Sequence, residues 1–327
     1  MSKKLSRNLH IFGGGIFTKT AIEVANNFSW KVTLRTTDRF KNEVSHFSKK
    51  NLEVFSGNSL EVLLKKGSKP NKGDIAISFS APWIISKKLI NSFEGKFYNL
   101  HNQPLPKFRG GGGSSWNILM KNRSGGSCIH LLTEKIDAGD IYARENFTFP
   151  KKLKYPRDYD DYSLKIANKM LKRWLTSYFS IGSPGKALPN NDSSSEYWPR
   201  LNTEIHGWID WSWSLSEIES FCHAFSFPHS GAKTYLGKKI IRILDLKVFN
   251  KKNKFHPFQA GLVFRKTKNE IYIAHKDGHI QLDKNYISPN NKNIRLGDRF
   301  HTPYKKLDNS LFSRIQYSPD GKVIKLK

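Results

Sequence analysis

The sequence predicts an α/β protein, built on a mostly parallel sheet and followed by a smaller all-β barrel. Three observations predict it. Up to residue 79, apolar segments of strand length alternate with helix-length stretches, the pattern of parallel βαβ units. Between residues 182 and 202 the composition turns to Gly, Pro, Asn and Ser without periodicity, as in a linker. Beyond it, one helical stretch precedes several short β-type segments separated by Gly, Asn and Lys turns, which argues for a small barrel. A chain of 327 residues has room for two cores. The expected division is an α/β domain over 1–183, a linker over 184–204 and a barrel domain over 205–327.

Taken in order, residues 9–12 read as a strand and 16–28 as a helix, joined by Gly13, Gly14 and Gly15. A dinucleotide-binding G-x-G-x-x-G would need glycine at position 18, where Thr18 stands. A tight turn at the edge of an α/β sheet is therefore the better reading, and a nicotinamide-dependent dehydrogenase is disfavoured. Residues 31–35, 51–55 and 74–79 read as further strands. Pro82 is placed as the first residue of a helix ending near Phe93. A helix over 115–122, two β-type segments over 127–133 and 141–149, and a long amphipathic helix over 158–179 complete the first domain. Past the linker, Ser214 followed by Glu217 is a capping-box pattern for a helix through Phe225. Short strands are expected at 232–235, 239–248, 261–264, 270–274 and 279–282.

Composition limits the possible roles. The net charge is +28, from 55 Lys and Arg against 27 Asp and Glu. Such a balance attracts polyanions, among them tRNA, anionic nucleotides and acidic lipid surfaces. The basic pairs, however, are spread from Lys49-Lys50 to Lys305-Lys306 rather than gathered on one helix or tail. Cys128 and Cys222 fall in different expected domains without C-x-x-C spacing, which argues against a disulfide or a cysteine metal site. No apolar run approaches the ~18 residues of a membrane span, and Gly13 to Gly15 interrupt the apolar residues behind the basic N-terminus. A cytoplasmic protein without membrane insertion is expected.

The stretch from Tyr98 to Gly113 carries the chemistry. Asn99 and His101 are two apart on a strand, so both side chains leave the same face. Pro104, Pro106 and the run Gly110, Gly111, Gly112, Gly113 follow at once and force an irregular loop around them. Further on, Asp137 and Asp140 flank a turn that could meet this pair. No G-x-S-x-G elbow or cysteine beside a base supplies a nucleophile, so direct acyl transfer to an amine suits the residues best. His101, with a reference pKa near 6.5, could take the proton of the attacking nitrogen. Asn99 could donate to the oxyanion, and Asp137 could orient the imidazole and move a proton to the leaving group. A metal site from His101, Asp137 and Asp140 is a weaker alternative, because one His and two carboxylates lack motif spacing. No metal is expected.

Taken together, Asn99-Leu100-His101, Leu105-Pro106-Lys107-Phe108-Arg109-Gly110 and Ile136-Asp137-Ala138-Gly139-Asp140-Ile141 resemble the signature of folate-dependent formyltransferases. Beyond the linker, Tyr197-Trp198-Pro199-Arg200, Gly207-Trp208-Ile209-Asp210-Trp211 and the segments to Thr234-Tyr235 resemble the start of that family's C-terminal OB-like domain. The resemblance implies a Rossmann-like catalytic domain and 10-formyltetrahydrofolate as formyl donor. It also implies Asn99, His101 and Asp137 as the catalytic trio. Ser80, Ala81, Pro82 and Trp83, with Ile136, Ala138, Gly139 and Asp140, are implied as the pterin site, acting largely through backbone groups.

Two departures concern the acceptor. After the histidine the family usually has Ser-Leu-Leu-Pro, where this chain has Asn102-Gln103-Pro104-Leu105-Pro106. After Arg109-Gly110 the tRNA enzymes carry an Ala-Ala-Pro-type segment, where Gly111-Gly112-Gly113-Ser114-Ser115-Trp116 stands here. The expected substrate loop is thus Asn102, Gln103, Arg109 and Gly110 to Gly113, and the expected acceptor is a small amine on a nucleotide-linked sugar. Methionyl-tRNA is the alternative within the class. A non-catalytic module that binds folate or nucleotide and RNA is the alternative outside it.

Overall fold

The computed structural model describes residues 7–44, 47, 51–111, 113–251, 255–289 and 294–326. Its first half is a seven-stranded sheet. The strands are β1 (Asn8–Gly13), β2 (Lys31–Thr36), β3 (Leu52–Ser56), β4 (Ile75–Phe79), β5 (Phe97–His101), β7 (Ser124–Leu131) and β8 (Ile141–Thr148), in the order β3-β2-β1-β4-β5-β7-β8. β6 is the short strand Arg109–Gly110 outside this sheet. Pairing is parallel from β3 to β5 and antiparallel from β5 through β7 to β8. β1 lies inside the sheet, so the glycine turn sits at the carboxyl rim and not at a lateral edge. There the ideal Cβ of Gly13, at φ +116°, would fall 2.0 Å from the Phe79 carbonyl oxygen. Glycine is required because two strand ends meet at that point.

Helices cover both faces of the sheet: α1 (Ile16–Asn27), α2 (Lys41–Val44), α3 (Leu60–Leu64), α4 (Lys87–Asn91), α5 (Gly113–Leu119) and α6 (Pro156–Ile181). On α6, Ala167, Met170, Leu171, Trp174, Leu175 and Tyr178 repeat at helical spacing and are buried with Leu9, Ile11, Ile75 and Ile77. Each large side chain buried this way is worth about 1.5–3 kcal/mol. The opposite face packs Phe12, Ala76, Leu89, Phe93 and Phe97. α6 opens with Pro156 as its first residue, and the Asp158 carboxylate accepts from the N–H groups of Lys154 and Tyr155, both at 3.0 Å. It ends at Gly182, in the left-handed region at φ 77°, a usual helix stop.

The expected helix from Pro82 is shorter than the sequence suggests. Ser80 adopts φ +50°, and the Trp83 indole N–H donates to the Asn58 carbonyl at 3.0 Å. These hold the segment off the helix until Ser86, whose hydroxyl caps α4 by accepting from Leu89 N–H.

The second half contains α7 (Thr203–His206) and α8 (Leu215–Ala224), then β10 (Ala232–Leu236), β11 (Lys239–Ile243), β12 (Lys247–Asn250), β13 (Val263–Lys266), β14 (Glu270–His275), β15 (Gly278–Asp283), β16 (Ile287–Ser288) and β17 (Phe300–His301). They form two four-stranded sheets, β16-β11-β10-β17 and β12-β15-β14-β13, antiparallel throughout. The capping box of α8 forms as expected: Ser214 N–H and Glu217 carboxylate meet at 2.7 Å. The single strand expected over 239–248 is two strands. Asp245 between them accepts from Tyr155 and His223 at 2.8 and 2.9 Å, which turns the chain toward the first half. The core of this half also takes in Ile118, Phe149 and Tyr159 from the first, so one apolar seam joins the two. A final helix, α9 (Tyr304–Phe312), and the hairpin Arg314–Tyr317 with Val323–Leu326 extend beyond the last strand expected from sequence. Cys128 and Cys222 are buried free thiols. Among the described residues no helix is long and apolar enough to cross a membrane.

The stretch expected to be a linker is strapped to the first half. Leu188 and Ile141 exchange backbone hydrogen bonds at 2.8 and 2.9 Å. β9 (Tyr197–Trp198) pairs in parallel with β6. Gly110 and Gly111 make this possible, because their ideal Cβ atoms would fall 2.6 Å from the Trp198 oxygen and 2.3 Å from Arg200 Cγ. The glycine run therefore admits the strap as well as shaping the loop.

Candidate active site

β5 delivers Asn99 and His101 to one face, and β7 runs antiparallel beside it with Asn99 opposite His130 and His101 opposite Cys128. The turn between β7 and β8 brings Asp137 to the same place. His101 Nδ1 lies 3.7 Å from Asp137 Oδ2, and their side chains are only 11% and 14% exposed. The three residues singled out from sequence thus converge.

The sequence did not reveal what holds them. Ser78 O–H donates to Asn99 Oδ1 at 2.7 Å. Asn99 Nδ2 lies 3.1 Å from His130 Nε2, and His130 Nδ1 lies 2.9 Å from the Leu131 carbonyl. That carbonyl can only accept, so His130 Nδ1 carries the proton and Nε2 accepts from Asn99. One Asn99 N–H remains for a ligand. His130 Nε2 is also 3.5 Å from Asp137 Oδ1, with the ring 1% exposed. The sole signal in the sequence was a polar residue in an apolar strand, and only the antiparallel register sets it across from Asn99.

His101 Nε2 lies 2.6 Å from the Phe108 carbonyl and by the same logic carries the proton. Its Nδ1 then presents a lone pair beside the Asp137 carboxylate. Burial pushes the imidazole pKa below its ordinary value, outweighing the Asp137 charge that raises it. Burial alone would push Asp137 up, but the charge of His101 when protonated and the Gly110 N–H at 2.9 Å hold it well below the usual carboxylate range. The pull of His101 on Asp137 acts fully only when the ring is protonated. The geometry favours a neutral ring beside an ionised carboxylate, ready to receive one proton.

The turn itself is constrained. Asp137 sits at φ +47°, unusual for a non-glycine residue, and the ideal Cβ of Gly139 would lie 1.9 Å from the Leu131 oxygen. Asn190 Nδ2 donates to the carbonyls of Asp137 and Gly139 at 2.8 and 3.0 Å. Arg109 in turn donates to Asn190 Oδ1 at 3.2 Å. A residue of the expected linker is thus a support of the site.

Around this centre the expected binding residues divide. Ile136 is 62% exposed, Ala138 lines a cavity of about 610 Å³ with Thr133, Glu134, Lys135 and Asn190, and Asp140 is exposed. The volume is within the ordinary range for a small-molecule site. Ser80 is exposed, and Ala81, Pro82 and Trp83 are partly buried. Asn102 is tied inward, accepting from Ser127 at 2.6 Å and donating to Ser163 at 2.9 Å, while Gln103 accepts from Asn117 at 3.4 Å. Arg109 faces Asn190. Gly110, Gly111 and Gly113 line the loop, and Gly112 lies outside the described residues. Among the described residues, no group of three or more His, Cys, Asp or Glu is arranged to hold a metal ion.

A sheet carrying an amide, an imidazole and a carboxylate at one strand end is equipped to move an acyl group without a covalent enzyme intermediate. Residues 21–153 match the formyl transferase family and residues 203–300 match the formyl transferase C-terminal domain. The chain belongs to the formyltransferase family and is a formyl-transferring enzyme. A methionyl-tRNA formyltransferase of Streptococcus agalactiae is 24% identical over 261 residues, covering 76% of this chain and 79% of that protein. A sugar 3N-formyltransferase solved with dTDP and 5-N-formyl-THF superposes with a TM-score of 0.63 at 18% identity, covering 85% of this chain and 97% of its own. The N-formyltransferase of Helicobacter canadensis, solved with folinic acid and dTDP-3-aminofucose, gives 0.62 at 20% identity, with 85% and 98% covered. At these identities the structural likeness is one of fold.

Proposed function

We propose that this protein transfers the formyl group of 10-formyltetrahydrofolate to a primary amine of a nucleotide-linked amino sugar. The observation that carries the reading is the convergence of Asn99, His101 and Asp137, with His101 Nδ1 3.7 Å from the carboxylate. The donor supplies an activated formyl carbon when bound, and the cavity beside Ala138 and Asn190 suits its ring. The amine nitrogen bonds to that carbon, and the bond from the carbon to the donor nitrogen breaks. His101 takes the proton of the amine and returns it to the departing nitrogen. The free Asn99 N–H donates to the oxygen on which negative charge develops, an effect of about 3 kcal/mol. Asp137 stabilises the imidazolium while it exists, and burial keeps the ring unprotonated beforehand.

The acceptor assignment draws support from the sugar-modifying neighbours and from the loop sequence after Gly110. The methionyl-tRNA relative and the +28 charge favour the second reading, formylation of charged initiator tRNA. Incubation with labelled formyl donor and a dTDP- or UDP-linked amino sugar tests the choice. Label on the sugar amine is expected, and label on initiator tRNA alone would sink the sugar assignment.

A further inference from the structure

The strap over the glycine loop offers a surface that the reaction as described does not use. Tyr197 is 62% exposed, although its ring lies against Gly110, where an ideal Cβ would be 2.8 Å from Tyr197 Cε2. Gly110 is the residue whose N–H holds Asp137, so this exposed aromatic ring is one residue's width from the candidate catalytic carboxylate. Arg200 lies along Gly111 and is exposed, as is Lys107. Among the described residues the Tyr197 hydroxyl and the Arg200 guanidinium make no hydrogen bond or ion pair.

The segment is nonetheless rigid. Arg109 N–H donates to the Glu196 carbonyl at 2.9 Å and Gly111 N–H to the Trp198 carbonyl at 3.0 Å. The Trp198 indole N–H donates to the Lys107 carbonyl at 3.1 Å and the Trp116 indole N–H to the Pro199 carbonyl at 2.8 Å. Trp198 is stacked on Phe108 at 5.9 Å. An exposed aromatic ring and an unpaired guanidinium on a fixed segment, continuous with the reacting centre, form a preorganised wall. Large rings stack nucleobases, and guanidinium groups match phosphate oxygens in pairs.

We propose that Tyr197 and Arg200, with Lys107, form the subsite for the nucleoside diphosphate of the acceptor: the base stacks on Tyr197 and the diphosphate is held by Arg200. The subsite rests on the proposed sugar-nucleotide reading, and it makes the strap a determinant of which acceptor is taken. Calorimetric titration of the full chain with dTDP and with UDP tests it, alongside formyl-transfer kinetics on the corresponding amino-sugar nucleotides. Tyr197→Ala and Arg200→Gln are each expected to weaken nucleoside diphosphate binding about tenfold or more, equivalent to at least ~1.4 kcal/mol. The same loss should appear in KM for the acceptor rather than in kcat. Tyr197→Phe should retain the wild-type affinity, since the ring and not the hydroxyl does the stacking. Variants that bind either nucleoside diphosphate as the wild type does, while the wild type formylates a sugar nucleotide, overturn the subsite and leave the proposed function intact. A wild type that formylates only initiator tRNA overturns the proposed function, and absence of dTDP and UDP binding in that case overturns the subsite with it.

Discussion

Replacing His101 by Asn separates the chemistry of the site from its architecture. The substitution removes the nitrogen whose lone pair faces Asp137 and keeps a polar side chain on the same strand. Loss of a positioned general base typically lowers a rate 10²–10⁴-fold, or about 2.7–5.4 kcal/mol of barrier. The cost to folding is much smaller. The one hydrogen bond lost, from Nε2–H to the Phe108 carbonyl, is worth about 1 kcal/mol net, and an asparagine N–H can reach toward the same oxygen. Release of tetrahydrofolate followed by absorbance, with label transfer to the amine as a cross-check, should show kcat reduced at least about a hundredfold. Thermal unfolding should shift by only a few degrees. The pH profile provides a second reading. Because burial lowers the His101 pKa, the base form dominates at neutral pH, and wild-type kcat/KM should fall only as the pH drops below about 6.5. That acid limb should vanish in His101→Asn. A variant that keeps more than about a tenth of the wild-type kcat, with the limb unchanged, would refute the role given to the imidazole.

Other perturbations test the supports. His130→Phe leaves Asn99 Nδ2 without its acceptor and should lower kcat about ten- to a hundredfold with the fold retained; unchanged kcat would remove His130 from the positioning of the amide. Gly110→Ala places a Cβ 2.6 Å from a backbone oxygen at φ +96° and should cost about 1–3 kcal/mol. At Gly111 the nearest atoms an added Cβ would meet belong to the Arg200 side chain, with no backbone atom among them and no left-handed φ, so Gly111→Ala should cost less than Gly110→Ala, and equal melting temperatures for the two would contradict this account of the strap. Stability should also decline on acidification. Burial lowers the pKa of His10, His101, His229 and His275, so below about pH 6.5 the unfolded chain binds protons that the folded chain refuses. Stability is complete above that value and falls as the pH drops toward the folded pKa of each ring, by at most about 1.4 kcal/mol per pH unit per ring. Urea midpoints that stay flat from about pH 7.5 to 5.5 would show that these rings are protonated at little cost in the fold.

Legibility from sequence followed the range of the interactions involved. Asn99 and His101 could be paired from two-residue alternation, because strand geometry fixes which face they share. Ser214 and Glu217 could be read as a cap for the same reason, since both partners lie within one turn. His130 and Asn190 could not be read in this way. Each reaches the site across 31 and 53 residues of chain, to Asn99 and to Asp137 respectively, and no local pattern records an antiparallel register or a strap. The helix expected from Pro82 failed on a similar account, because the Asn58 carbonyl that captures Trp83 belongs to another loop.

By itself, then, the sequence determined the alternation of strands and helices, the short strands of the second half, and the residue types at the candidate reacting centre. These depend on periodicity, turn chemistry and spacing within a few residues, all of which are local. The tertiary structure alone decided which side chains orient the Asn99 amide, which proton state Asp137 and His101 share, and what the glycines of the loop admit. Those depend on burial and on contacts between distant segments, and the strap of Tyr197 and Arg200 across Gly110 and Gly111 exists only once the segment after α6 has folded back onto the first half.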